Sequence, residues 1–402
     1  MMHWWRHGKL QWGQIEIIML KLDDNTKVFF ALIRAGLWEN FQKFRVESSE
    51  LRDTVDWEKV YQLASEQTVL GLALAGIERL KNHNNTHNLN IPQMLLLQWI
   101  GEVQMIEEQN KEMNAFIRKL VEDMRKDDIY ALLVKGQGVA QCYEHPLWRA
   151  SGDVDLLLSD DNYEKAKAFM TKIASYIEPE RVLAKHIGFT VDQWTVELHA
   201  PAPESLKRPI YNVMANVWRS IFNMGNVRVW NNDGVSVFIP SPNNDIIIVF
   251  THFLGHFCFG GIGLRQICDL CRLLWVYRDE IDHNLLKKRL DCMGLMTEWK
   301  VFASLMVNWL GMPEETMPYY SNSAYYKRKA TRACDRILRS GNMGVNVDAG
   351  YRLHQPKWRA NLITFWHRIG EFFGLMTLFP MDAPRFFGNY LMQKMKGKVE
   401  KE

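Results

Sequence analysis

Apolar positions change their period several times along the chain, and the changes mark out its elements. Lys27 to Trp38 and Asp56 to Leu80 carry helical spacing, the second with Trp57, Val60, Tyr61 and Ala64 on one face. Lys81-Asn-His-Asn-Asn-Thr-His87 has no apolar residue and reads as an exposed loop. Leu95 to Met124 is a long helical stretch leading to Tyr130-Ala-Leu-Leu-Val134, a buried strand that ends in Lys135-Gly-Gln-Gly138 and a short helical pattern through Tyr143. A second apolar strand runs to Leu158 behind Arg149-Ala-Ser-Gly-Asp-Val-Asp155, and Ser159-Asp-Asp161 offers the N-cap of a following helix. Lys185 to His199 alternates like two strands joined at an Asp192-Gln193 turn. Asn231-Asn-Asp-Gly234 turns another hairpin between Val227-Arg-Val-Trp230 and Val235-Ser-Val-Phe238, and the chain becomes helical from about Pro242. This order predicts an α+β protein: a helical N-terminal region over 27–126, an α/β core over 127–240 and a helical C-terminal region over 241–402, behind an unassigned extension at 1–26.

The candidate chemistry lies in the core. Side chains at i and i+2 of an extended segment share a face, so Asp153 and Asp155 are expected to converge while Val154 and Leu156 point the other way. Two carboxylates together repel, and one holds its proton unless a cation intervenes; Mg²⁺ takes one or two carboxylates and completes its shell with water and substrate phosphates. Glu197 shares a face with His199 on a later strand, and a neighbouring place in the sheet brings it to the aspartates as a third metal ligand. Lys135 and Gly136, at a glycine turn before a helix, suit a polyphosphate: backbone N–H groups plus a point charge. Solvated acids at a strand entry, and a lysine merely resting its stem on apolar surface, are the plainer accounts. The joint presence of Lys135, Arg149 and Glu197 weighs against them.

Four blocks, Leu133-Val-Lys-Gly136, Arg149 with Ser-Gly-Asp-Val-Asp155, Val196-Glu-Leu-His199, and His252-Phe-Leu-Gly-His256 to Gln266-Ile-Cys-Asp-Leu270, resemble in order and spacing the uncharacterised nucleotidyltransferase family of the DNA polymerase beta-like superfamily. With the Trp57 helix the resemblance runs from about residue 55 to the C-terminus. It implies a polymerase beta-like core with a mixed sheet, and an enzyme moving an NMP from an NTP to a hydroxyl acceptor with release of pyrophosphate. Asp153, Asp155 and Glu197 would be catalytic and metal-binding, with Mg²⁺ or alternatively Mn²⁺ as the cofactor. Lys135, Gly136, Arg149, Ser151 and Gly152 would bind the nucleotide, and His199, His252, His256 and Asp269 would stand at the acceptor pocket. Better characterised members of the superfamily open this site with a Gly-Ser pair; Lys135-Gly136 stands there instead, so a catalytically inactive nucleotide-binding regulatory module is the alternative. The acceptor class stays open among small molecule, saccharide, protein and RNA.

Composition narrows the picture less. With 402 residues and 47% hydrophobic content the chain can bury a large core, and a formal net charge of +3 gives no nucleic-acid signature. Cys268 and Cys271 form one lone CxxC, two ligands short of a structural zinc site, and read as buried thiols. His252 and His256 lack the intervening glutamate of a zinc protease. No secretory signal is evident in the N-terminal stretch, so a cytoplasmic protein is expected, with Met19 as an alternative translation start. Ile246 to Leu264, broken by Gly260-Gly261, reads as a buried helix and not a membrane span. The aromatic stretch Trp358 to Phe379, with Phe386-Phe387 and the basic end at Lys394, Lys396 and Lys398, offers a peripheral membrane contact or, by default, packing against the preceding helices.

Overall fold

The computed structural model describes residues 23–39, 55–83, 89–182, 185–200, 208–259, 261–342, 369–370 and 372–380, with 359 and 384 as single positions. The proposed start at Met19, most of the Asn-rich loop, Phe386-Phe387 and the basic end lie outside the described residues.

Helices α1 (Asp24–Leu37), α2 (Trp57–Glu66), α3 (Leu70–His83) and α4 (Gln93–Lys126) form the N-terminal part. Asp23 and Asp56 cap α1 and α2, accepting bonds from the Thr26 and Lys59 N–H groups. The single helical stretch expected over Asp56–Leu80 is two helices: Thr68 takes φ +55°, which no helix accommodates, and the chain turns there. α1 and α3 cross backbone to backbone. A Cβ at Gly36 would stand 2.0 Å from the Leu72 carbonyl oxygen, and one at Gly76 2.1 Å from that of Leu32, so this crossing requires both glycines.

The core follows as β1 (Ala131–Val134), α5 (Gly136–Ala140), β2 (Val154–Leu158), α6 (Asp160–Ile173), β3 (Tyr176–Ile177), β4 (His186–Val191) and β5 (Trp194–His199). The Ser159 side chain caps α6 by accepting from the Asn162 N–H. The five strands make a mixed sheet in the order β1-β2-β5-β4-β3, in which β2 and β5 run parallel and the other neighbours antiparallel. One face of the sheet carries Leu133, Val154, Leu156, Leu158, Phe189, Val196 and Leu198, all buried in a core shared with Met113, Ile117 and Leu120 of α4 and Tyr163, Ala166 and Met170 of α6. That packing fixes the register, because a slip by one residue would turn Asp155 and Glu197 into the core.

The rest is α7 (Arg208–Phe222), the hairpin β6 (Val227–Asn232) and β7 (Val235–Pro240), then α8 (Pro242–Phe259), α9 (Leu264–Val276), α10 (His283–Met293), α11 (Met296–Asn308) and α12 (Ala324–Ser340). A second, larger core joins Phe29, Trp38 and Trp99 of the N-terminal part to Phe250, Trp299 and Phe302. Among the described residues no helix is long and apolar enough to cross a membrane. Within the aromatic tail, 372–378 is helical, and buried Phe379 packs its ring against Phe257 and Phe302.

Candidate active site

β2 and β5 are parallel neighbours, and their register sets Asp155 directly beside Glu197. Across β4–β5, His186 stands opposite His199 and Gly188 opposite Glu197. Since residues two apart on a strand share a face, Asp155, Glu197, His199 and His186 emerge together on the sheet face opposite the apolar core. Asp153 stands one residue before β2, not within it, and is exposed.

The charges on this face are interlocked. Lys135 Nζ donates to Asp155 Oδ1 at 2.7 Å, and His199 Nε2 lies 2.9 Å from that same oxygen. His186 Nε2 and His199 Nε2 stand 3.0 and 3.3 Å from Glu197 Oε2. Burial alone would raise the Asp155 carboxyl, but the Lys135 ammonium and the His199 ring outweigh it and hold the group below its ordinary value. Burial likewise opposes ionisation of Glu197 and is overcome by its two histidines, which hold it well below the usual range. Asp153 goes the other way: desolvation, with the negative charges of Glu197 and Asp155, pushes it up. His199, desolvated yet bonded to two carboxylates, is raised.

α8 contributes the opposing histidines. His252 Nδ1 lies 3.5 Å from Lys135 Nζ, and the His252 and His256 rings meet edge to face with centroids 4.6 Å apart. Burial and the Lys135 charge lower both imidazoles, His252 well below its ordinary value, and so favour the uncharged rings.

Lys135 itself is held at φ +58°, ψ −149°, and Gly136 at φ +42°. A non-glycine residue there costs about 1–3 kcal/mol and persists only where its surroundings impose it. The loop into β2 is fixed from below. Gln137 Nε2 donates to Asn110 Oδ1 at 2.6 Å and to Ser151 Oγ at 3.2 Å, and Asn110 Nδ2 donates to the Leu147 and Arg149 carbonyls.

Arg149 and Asp269 hold each other instead of facing the acids. Arg149 Nε and Nη2 bond Asp269 Oδ1 and Oδ2 at 2.8 and 2.7 Å, Tyr143 donates to Asp269 Oδ1 at 2.8 Å, and Arg149 Nη1 donates to Ser151 Oγ at 3.0 Å. Gly152 is exposed with open space around it. A shallow cleft, lined among others by Thr68, Tyr143, His145, Trp148, Arg149 and Arg265, borders this pair, and none of the three acids lines it. Cys268 and Cys271 are buried free thiols pushed up by desolvation.

Of the residues singled out in the sequence, the fold thus gathers Lys135, Asp153, Asp155, Glu197, His199, His252 and His256, and sets Arg149, Ser151 and Asp269 behind them. His186 was not anticipated, although the Asp192-Gln193 turn pairs Val191 with Trp194 and, counted back, His186 with His199.

A family model described as an uncharacterised nucleotidyltransferase matches residues 53–311. No curated protein and no solved structure matches the chain.

Proposed function

Since the chain belongs to the uncharacterised nucleotidyltransferase family, whose members are expected to act on an NTP, we propose that the Asp153–Asp155–Glu197 face moves an NMP from an NTP to a hydroxyl acceptor. The observation that carries this reading is the parallel register of Asp155 and Glu197, with Asp153 immediately ahead of the same strand.

The donor set suits a divalent cation. Asp155 and Glu197 are kept ionised, and Asp153 is pushed up by desolvation and, after it, by the neighbouring negative charges, a repulsion that a hard dication would relieve. Bound there by these three carboxylates, Mg²⁺ or Mn²⁺ would lower the pKa of the acceptor hydroxyl and offset charge on the attacking and leaving oxygens. The protein's own groups have separate tasks. Lys135, on its strained turn and paired with Asp155, would provide an ammonium for the β- and γ-phosphates once a cation takes its place at that carboxylate, with the backbone N–H groups of the Gly136–Gly138 turn beside it. The acceptor oxygen bonds to the α-phosphorus as the bond to the β-phosphate oxygen breaks, and pyrophosphate leaves. His256, whose imidazole is lowered less than that of His252, is available to take the acceptor proton, whereas His252 and Glu197, both held well below their ordinary values, are weak bases. Arg149 and Asp269 position the loop that carries Asp153. The acceptor is a small molecule, a saccharide, a protein or RNA.

The Lys135–Asp155 ion pair also favours a second reading, a nucleotide-binding module whose acid face is neutralised from within. Purified protein incubated with each α-³²P-labelled NTP, Mg²⁺ or Mn²⁺ and a cell extract separates the two. Label transfer with pyrophosphate release, lost in Asp153→Asn/Asp155→Asn, is the expected result. Nucleotide binding without transfer under either metal would overturn the enzyme and leave the module.

A further inference from the structure

We infer that His186, His199 and Glu197 form a second cation site, selective for a first-row transition-metal dication of the Mn²⁺-to-Zn²⁺ class over Mg²⁺. This goes beyond the transfer reading, because the ion is held there whether or not the acid face moves nucleotides.

Geometry carries the inference. The donor atoms of the three residues all lie within 4.8 Å of one another. Both imidazole Nε2 atoms converge on a single carboxylate oxygen, Glu197 Oε2, at 3.0 and 3.3 Å. Donors about 2.0–2.2 Å from a shared ion, with tetrahedral or octahedral angles between them, stand about 2.8–3.6 Å apart. Two edges of a coordination polyhedron are therefore already at the required length.

The sheet builds this convergence. His186 and His199 are directly paired across β4–β5, their ring centroids are 4.7 Å apart, and Glu197 shares the face of His199 two residues back. Opposite Glu197 the chain has Gly188, and the vacated space is filled by the carboxyl of Glu178, whose Cδ and Oε2 lie 2.9 and 3.0 Å from where a Gly188 Cβ would stand. The Glu178 N–H bonds the Gly188 carbonyl, so the backbone holds this second acid in the same row as Glu197. Imidazole nitrogen selects the ion: it binds Zn²⁺ and its first-row neighbours well, whereas Mg²⁺ takes oxygen ligands and keeps its waters.

The test adds Co²⁺ to the metal-stripped full-length protein and follows its visible d–d absorption. Expected are saturable bands that Zn²⁺ abolishes and excess Mg²⁺ does not, with Co²⁺ affinity lowered about tenfold or more in both His186→Ala and His186→Gln, whose folding is checked by circular dichroism. Asp153→Asn is expected to abolish label transfer and keep the bands. Absence of bands in the wild type, their displacement by Mg²⁺, or unchanged affinity in both His186 variants would overturn the site and leave the transfer reading standing. Intact bands without transfer would overturn only the transfer reading.

Discussion

Two charged clusters meet at the loop from Arg149 to Asp155 and are built to opposite rules. In the Arg149–Asp269–Tyr143 cluster donors and acceptors match: Asp269 takes a forked guanidinium and a phenol, and both charged side chains are 6% exposed. On the acid face the partners are oversubscribed. A single donor, His199 Nε2, is divided between Asp155 Oδ1 and Glu197 Oε2, with Lys135 and His186 holding one of them each, and the Glu197 and His199 side chains are each 26% exposed. A saturated, closed ion pair gains nothing from a ligand and serves to hold the chain. An open cluster whose carboxylates share too few cations is stabilised by a further cation that fits its donors.

The largest expected effect breaks the comparison on the side of chemistry. Asp155→Asn keeps the size of the side chain and a polar group for Lys135 and His199, so circular dichroism and thermal unfolding should stay near wild type. Turnover in the label-transfer assay should fall by roughly 10³–10⁴-fold. A folded Asp155→Asn protein with near-normal turnover would remove Asp155 from the chemistry. The next effect lies on the side of architecture. Asp269→Ala leaves the Arg149 guanidinium buried with only Ser151 and the Ala150 carbonyl for company, and should cost about 3 kcal/mol or more of stability in denaturant unfolding. A loss below about 1 kcal/mol, the range of exposed pairs, would mean that this cluster is not the clamp argued here.

The acid face was the more legible of the two clusters in the sequence. Asp153, Asp155, Glu197 and His199 sit in short alternating runs whose faces follow from counting by two, and Lys135-Gly136 stands at a visible turn. His186 needed one more step, carrying the pairing back from the Asp192-Gln193 turn. The Arg149–Asp269 bond was out of reach because 120 residues separate its partners, and no local period encodes how α9 docks against the loop. β3 is two exposed residues, too short for any period to appear. α7 was missed for a different reason: Val213, Met214, Val217 and Ile221 form a regular buried stripe that the chain does display. The break at Thr68 has no proline or glycine to announce it; tertiary packing turns a continuous helical pattern into two helices.

A third pair, Arg228–Asp245, lies between the two extremes and sharpens the contrast most finely. Asp245 is 1% exposed and bonds Arg228 through Oδ2, but its Oδ1 has no hydrogen-bond partner among the described residues. Burial therefore outweighs the guanidinium and raises this carboxyl to about 6 from an ordinary 3.8. An acid whose folded pKa exceeds its unfolded value binds more protons in the folded state between the two, so its contribution to stability falls as pH rises from about 4 to about 6 and then levels off. The total fall amounts to at most about 3 kcal/mol. Asp245→Asn removes it: measured against wild type by urea unfolding, the variant should gain steadily from about pH 4 to pH 6.5 and hold that gain above. Parallel stability curves for the two proteins would mean that Arg228 compensates Asp245 as fully as it would in a matched pair, and the gradation from saturated to oversubscribed clusters would lose its middle term.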